Sequence, residues 1–273
     1  MGEEKFIDIE KLIKSKNPRL LKWLPRFVIR YLKRILHQKE INKFIAKHSD
    51  KKNADWCTEV VNYLNITFTV KNIENIPKSG KVVLVLNHPL GGMDAMILVS
   101  ALHGHRDDLK FIVNDLLLNI ESMRDMFVGV NKHGKNKEST RSTIKNLFAS
   151  DNAVCIFPAG LVSRKIKGEV RDLEWKKTFV TLARENDRTI IPIYIDGGLS
   201  NFFYNLYSFR KFIGLKVNIE MLYLSNELFK QRNKHFNFVV GKPIDKTYID
   251  TETNDFAIAQ QIKDEVYKLR KHL

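Results

Sequence analysis

The sequence predicts an α/β fold: a largely parallel central sheet flanked by helices and preceded by a basic amphipathic helical segment. Short apolar runs typical of buried strands alternate with segments of helical periodicity along most of the chain. Several runs end in turns that contain Gly, Pro, Asn or Asp, as at residues 87–92 and 196–198. Such alternation is typical of parallel sheets, whose strands are joined by crossover helices. A length of 273 residues suits one large domain with an appendage.

We predict an N-terminal helical segment at residues 1–55 and a main α/β domain at 56–273. Between residues 18 and 48, apolar side chains recur at steps of three and four, with Lys and Arg between them, and Pro25 is placed in the first turn of the main helix. A basic amphipathic helix of this kind is suited to the headgroup layer of an anionic membrane. A helix packed on the domain, with its basic face in water, fits the pattern equally well. The candidate membrane-docking residues are Trp23, Arg26, Phe27, Arg30, Lys33 and Arg34.

The main domain is predicted element by element from the period of its apolar residues. Helices are expected at 56–64, from 94, at 116–127, 138–150, 172–185 and 199–212, and from 254 to the end. Strands are expected from 66 and at 82–86, 109–113, 153–157, 189–196, 217–224 and 236–240. Ligands of such sheets bind outside the carboxyl ends of the strands, so the turns after these strands are expected to meet at one site.

The charge indicates an anionic partner. Lys and Arg number 46 against 31 Asp and Glu, for a net charge of +15 and a pI near 9.6; nucleic acid, an anionic membrane and an acidic carrier protein all fit. Cys57 and Cys155 lie far apart and outside any zinc-ligand spacing, so we expect no metal and a reducing cytosol. The first residues are charged, unlike a secretory signal, and no apolar run has the length of a membrane span. Membrane contact is therefore expected to be peripheral, at the cytoplasmic face of the inner membrane.

The segment NHPLGGMD, residues 87–94, carries the strongest chemical signal. Here a strand delivers His88 into a turn that closes on Asp94, which opens an apolar helix. A neutral imidazole oriented by a carboxylate is suited to remove the proton of a hydroxyl near neutral pH. Gly91 and Gly92 allow a tight bend and leave room for a substrate, and Asn87 is grouped with them as substrate-binding.

Three segments together resemble the motifs of the glycerolipid acyltransferase superfamily, which contains the lysophosphatidic acid acyltransferases. They are NHPLGGMD, IFPAGLVSR at 156–164 and IIPIYIDG at 190–197, in the order and approximate spacing of that family. The resemblance implies a glycerol-3-phosphate acyltransferase-like fold and transfer of a fatty acyl group from acyl-CoA or acyl carrier protein to a hydroxyl. It also implies His88 as general base, Asp94 as its orienter, no covalent acyl-enzyme and no cofactor beyond the thioester co-substrate.

Departures from the family pattern refine the expected acceptor. Five residues instead of four separate His88 from Asp94, and Ala159 and Val162 replace the usual Glu and Arg of the second motif. These departures resemble the haemolysin-like subgroup, which includes O-acyltransferases that complete ornithine- and glycine-containing lipids, so a lysolipid or N-acyl amino-acid acceptor is implied. Further candidate substrate-binding residues are Lys132, Phe157, Pro158, Gly160, Ser163, Arg164 and Pro192.

Three alternatives remain open at this point. A nucleic-acid-binding protein would explain the charge, but it would leave the three segments unexplained. The sequence also shows no helix-turn-helix, zinc-finger or RNP signature. A serine hydrolase using Ser163 would lack the G-x-S-x-G turn. A non-catalytic membrane-binding protein would have no chemical reason to keep both His88 and Asp94.

Overall fold

The chain folds into two compact units in a computed structural model that describes residues 6–114, 117–118, 120–130, 137–250 and 254–273. One unit comprises Met1–Lys51 with Leu199–Arg232, and the other Lys52–Gly198 with Asn233–Leu273. The predicted boundary lies near residue 55, with 199–232 in the main domain. In the structure that segment groups with the N-terminal helices instead, because its side chains bond to them: Tyr223 to Tyr31, Asn226 to His37, and Arg232 to Glu40.

The larger unit contains the central sheet. Among the described residues its strands lie in the order β1-β9-β8-β2-β5-β3-β4, and all neighbours pair in parallel except β8 and β9. Their bounds are Thr67–Lys71 (β1), Val82–Leu86 (β2), Leu109–Asn114 (β3), Phe127–Val130 (β4), Ala153–Ile156 (β5), Thr189–Ile195 (β8) and His235–Val240 (β9). Arg164–Ile166 (β6) and Glu169–Arg171 (β7) form a separate antiparallel hairpin. The predicted fold class is confirmed.

The burial of β2 agrees with its central position in the sheet. All five residues of VVLVL are buried, as expected of a strand covered on both faces. On one face, Trp175, Phe179 and Val180 pack with the last long helix into a continuous core. The helices of this unit are Asn53–Tyr63 (α5), Gly92–Leu102 (α6), Lys137–Ala149 (α7), Thr178–Glu185 (α8), Lys246–Ile249 (α11) and Asp255–Lys268 (α12).

All regular secondary structure among the described residues of the smaller unit is helical. Its helices are Ile9–Lys16 (α1), Pro18–Trp23 (α2), Arg26–Ile35 (α3), Gln38–Lys47 (α4), Asn201–Phe212 (α9) and Leu224–Phe229 (α10). The single main helix expected over 18–48 is thus divided. Leu24 is extended because a residue before proline avoids the α region, and Pro25 stands just outside α3 rather than in its first turn. His37, at a φ of 50°, separates α3 from α4.

Three sequence-based elements differ in the structure. Residues 217–224 are predicted to form a strand but form a 3-10 turn, Ile219–Tyr223, and the start of α10; this conformation places Glu220 in the interior, where it pairs with Arg210. A helix expected at 116–127 is a shorter 3-10 turn, Glu121–Met126, followed by β4. The helix expected from 172 begins at Thr178. Every helix in the described part of the chain is too short or too polar to cross a bilayer.

Candidate active site

His88 and Asp94 are brought together at the carboxyl end of β2. The strand ends at Leu86, and two residues later the ring Nδ1 of His88 lies 2.8 Å from Asp94 Oδ2. The Leu90 N–H also points at the carboxylate, 3.2 Å from Oδ1 and 3.0 Å from Oδ2. An ionised carboxylate only accepts hydrogen bonds, so Nδ1 is the donor in its bond to Asp94. With 18% of the His88 side chain exposed, the ring is partly accessible to a reactant.

Asp94 is completely buried, and this burial raises the pKa of its carboxyl to about 6; the bond and charge of His88 and the Leu90 N–H act in the opposite direction. The residue also lies in the first turn of α6, where the helix dipole favours a negative charge. The site therefore holds an ionised carboxylate against the imidazole near neutral pH.

Gly91 shapes the loop between the two side chains. Its backbone adopts φ 70° and ψ −135°, a conformation open to glycine and costly for other residues. Gly92 is the first residue of α6, and the Asp94 N–H bonds to the Gly91 carbonyl at 3.1 Å. The five-residue spacing between His88 and Asp94 is thus compatible with a direct bond.

Asn87 links two strands. Its side-chain Nδ2 donates to the Ile195 carbonyl at 2.8 Å, and its Oδ1 accepts from the Ile195 N–H at 2.7 Å. The side chain is buried, so both of its polar ends are satisfied within the fold. The structure therefore uses Asn87, predicted to bind substrate, to fix the end of β2 against the end of β8.

The second motif packs directly on the histidine. Phe157, just after β5, stacks on the His88 ring with centroids 4.1 Å apart and planes 24° apart. The Ser163 N–H donates to the His88 carbonyl at 2.8 Å. Pro158 and Gly160 form the turn between them, with Gly160 at a φ of 66°. The first two motifs therefore meet at one edge of the sheet.

Asp172 is a central member of the site that the sequence analysis missed. Its Oδ1 accepts from the His88 backbone N–H at 3.2 Å and from the Ser163 hydroxyl at 2.5 Å. Its Oδ2 accepts from the Trp175 indole N–H at 2.8 Å, and its own N–H donates to the Tyr267 hydroxyl at 2.7 Å. Asp172 was predicted to open a helix, where aspartate is common as a cap, and that assignment concealed this role.

Arg164 and Pro192, both predicted to bind substrate, are also buried inside the fold. The side chain of Arg164 is wholly buried and donates to the carbonyls of Val162 and Ser163, so it supports its own turn. Pro192 lies within β8, and the strand continues through it because the Gly241 N–H donates to the Pro192 carbonyl at 2.8 Å, a bond that needs no N–H from proline. Lys132 lies outside the described residues.

The candidate docking residues are exposed at the surface of the smaller unit, except for Lys33. Trp23 is 81% and Phe27 66% exposed. Arg26, Arg30 and Arg34 are also exposed, whereas Lys33 is half-buried and pairs with Glu10. In the described part of the chain, His, Cys, Asp and Glu form no cluster of three or more with the geometry of a metal site.

Comparison with known proteins matches these observations. A family model described as Acyltransferase matches residues 11–273. Two curated relatives, the lyso-glycine lipid O-acyltransferases of Phocaeicola vulgatus and Bacteroides thetaiotaomicron, are each 42% identical over 265 residues, covering 97% of this chain and 95% and 97% of theirs.

A solved structure has the same fold. The crystal structure of the 1-acyl-sn-glycerophosphate (LPA) acyltransferase PlsC from Thermotoga maritima aligns with a TM-score of 0.50 at 17% identity, covering 96% of this chain and 90% of that chain. The predicted resemblance is confirmed.

Proposed function

Since this chain belongs to the acyltransferase family, we propose that it moves a fatty acyl group from acyl-CoA or acyl carrier protein to the hydroxyl of a lysolipid. The acceptor is an N-acyl amino-acid lipid of the lyso-glycine type, the substrate class in the names of its two relatives. Family membership favours this enzyme over the non-catalytic, nucleic-acid-binding and serine-hydrolase alternatives.

The observation that carries the proposal is the 2.8 Å bond between His88 Nδ1 and Asp94. In the proposed step, Nε2 takes the proton of the acceptor hydroxyl as its oxygen attacks the thioester carbonyl carbon. The tetrahedral intermediate then collapses, the carbon–sulfur bond breaks, and the imidazolium returns the proton to the departing thiolate. Asp94 fixes the tautomer and stabilises the imidazolium while the proton is held.

The surrounding contacts limit how His88 can move. Phe157 stacks on the ring, and the backbone on either side of the ring is bonded to Ser163 and Asp172. An imidazole held in this way loses little conformational freedom on reaching the transition state, and pre-positioning of that kind contributes to the rate. We assign His88 the role of general base and Asp94 the role of orienter.

Lys176 is our candidate for the acceptor carboxylate. The motif position that carries Arg in the family is Val162 here, and Val162 is buried. Lys176 is exposed, its N–H bonds to the Pro158 carbonyl at 3.1 Å, and a methyl group added at Gly160 would lie 3.1 Å from its ammonium. This places a cation over the turn next to His88. An ammonium is suited to a carboxylate as a point charge, without the two-pronged geometry of arginine.

Release of thiol tests the catalytic assignment. Purified full-length protein is mixed with palmitoyl-CoA or palmitoyl-carrier protein and a lyso-glycine lipid, and both free thiol and the diacylated product are measured. His88→Ala is expected to lower the rate on the order of 10³-fold or more. His103→Ala is the matched control, because His103 forms a similar Nδ1 bond, 2.9 Å, to Asp107 at the exposed end of α6. Equal rates for the wild type and His88→Ala would disprove the assignment.

The acceptor is tested by substitution at Lys176. We expect Lys176→Ala to raise the KM for a carboxylate-bearing acceptor about tenfold, and to leave the KM for the amide of that acceptor unchanged. Lys177→Ala is the control, since Lys177 is an exposed lysine at the next position. If Lys176→Ala changes both KM values alike, Lys176 does not recognise the carboxylate. We further propose that the enzyme works as a peripheral protein at the cytoplasmic face of the inner membrane.

A further inference from the structure

Helix α9 exposes two phenylalanine side chains and buries an arginine side chain. Phe212 is 89% and Phe209 59% exposed, whereas Arg210 between them is buried and bonds Glu220 at 2.9 Å. A helix that packs on a core normally buries its aromatic residues and exposes its arginines. Packing within the unit therefore does not account for the two exposed phenylalanines.

The turn after α9 continues the exposed apolar surface. Val217 is 67% exposed, and Ile213 and Leu215 are also exposed. The turn has a defined shape, because Arg210 Nη1 donates to the Leu215 carbonyl at 2.8 Å and the Leu215 N–H donates to the Arg210 carbonyl at 3.1 Å. We call this surface the aromatic edge; its members are Phe209, Phe212, Ile213, Leu215 and Val217.

The aromatic edge belongs to the unit that carries most of the charge. Residues 1–51 and 199–232 contain 19 Lys and Arg against eight Asp and Glu, a net charge of +11 out of +15 for the whole chain. Lys211 and Lys216 are exposed within the edge itself. Exposed aromatic and aliphatic side chains interleaved with lysines match the headgroup layer of an anionic bilayer, where rings reach the acyl boundary and ammonium groups meet lipid phosphates.

We propose that the aromatic edge inserts into the headgroup layer of an anionic membrane, as a second docking element beside Trp23 and Phe27 of the N-terminal helices. Both elements lie in one compact unit, joined by the 2.8 Å bond between the Tyr31 and Tyr223 hydroxyls. Tyr223 in turn packs edge-on against Phe202 of α9, with centroids 4.9 Å apart. The inference rests on the proposed function in one respect, since a lysolipid acceptor places the substrate in a bilayer.

Vesicle binding tests the proposal. Full-length protein is sedimented with vesicles of 30% phosphatidylglycerol in phosphatidylcholine, and with pure phosphatidylcholine. The double variant Phe212→Ser/Val217→Ser is expected to bind the anionic vesicles about tenfold more weakly. Lys211→Ala/Lys216→Ala is expected to reduce the preference for anionic over neutral vesicles. Phe256→Ser is the matched control, because Phe256 is 42% exposed on α12 in the other unit; it should bind like wild type.

Two further measurements separate this inference from its rivals. If Phe212→Ser/Val217→Ser binds vesicles like wild type, the proposal is overturned; if the same variant also converts a dimer into a monomer, the surface is a contact between copies. His88→Ala should bind vesicles like wild type. If the wild type binds vesicles but transfers no acyl group, the proposed function is rejected and this inference stands. Thiol release with detergent-dispersed acceptor should be unchanged in the double variant.

Discussion

Asp94→Asn is expected to stabilise the fold while abolishing the chemistry. Burial raises the pKa of Asp94 from about 3.8 to about 6, so the folded protein holds this proton more tightly than the unfolded chain does. The free energy of unfolding therefore falls as the pH rises from about 4 to about 6, and the loss persists above that range. A shift of about two units corresponds to about 3 kcal/mol.

Asparagine avoids this loss because it does not ionise. Its Oδ1 can accept the Leu90 N–H, and its Nδ2 can donate to His88 Nδ1 in place of the present bond. At pH 8 we expect Asp94→Asn to be more stable than wild type by up to about 3 kcal/mol, and at pH 4 to be nearly equal. The donated bond forces the His88 proton onto Nε2, so the base is lost and the rate falls on the order of 10³-fold or more.

The assay is urea unfolding at both pH values together with thiol release. Asp107→Asn is the control: the Gly104 N–H and His103 lower the pKa of this exposed carboxyl, so its contribution to stability is present at pH 8 and lost as the pH falls. Asp107→Asn should therefore lose a little stability at pH 8, opposite in sign to Asp94→Asn, and keep full activity. A destabilised Asp94→Asn at pH 8, or one with wild-type rates, would refute the reasoning.

Three more outcomes are expected. In Asp172→Asn, an amide N–H faces one of the donors that now point at the carboxylate. This should lower the free energy of unfolding by about 1–3 kcal/mol and reduce the rate of acyl transfer. Unchanged urea midpoints would count against the hydrogen bonds of Asp172. Gly91→Ala should cost about 1–3 kcal/mol through its backbone conformation, again by urea unfolding, and wild-type stability would show that the loop relaxes freely. Cys57 and Cys155 are buried, and burial raises the pKa of both thiols, so a thiol reagent at pH 8 should label them only as the protein unfolds; rapid labelling of the native protein would contradict their burial.

Much of the fold follows from local pattern. The five apolar residues of β2 and the run at 189–195 indicate buried strands because both runs are short and rich in β-branched residues. One prediction failed at a segment that carries a buried ion pair. The alternation of apolar and polar residues at 217–224 is typical of a strand. In the structure Glu220 pairs with Arg210 in the interior, and the segment forms a 3-10 turn.

The site shows the same division between local and long-range information. The sequence by itself determined that His88 and Asp94 are joined by a glycine turn. The strand, the turn and the helix follow one another directly along the chain, so both side chains belong to one local segment. Only the tertiary structure decided that Asp172, 84 residues away, fixes the His88 backbone, that Arg164 faces inward, and that Phe209 and Phe212 face outward. The position of each of these side chains depends on contacts with residues far away in the sequence. The periodicity of apolar residues along the chain does not predict such contacts.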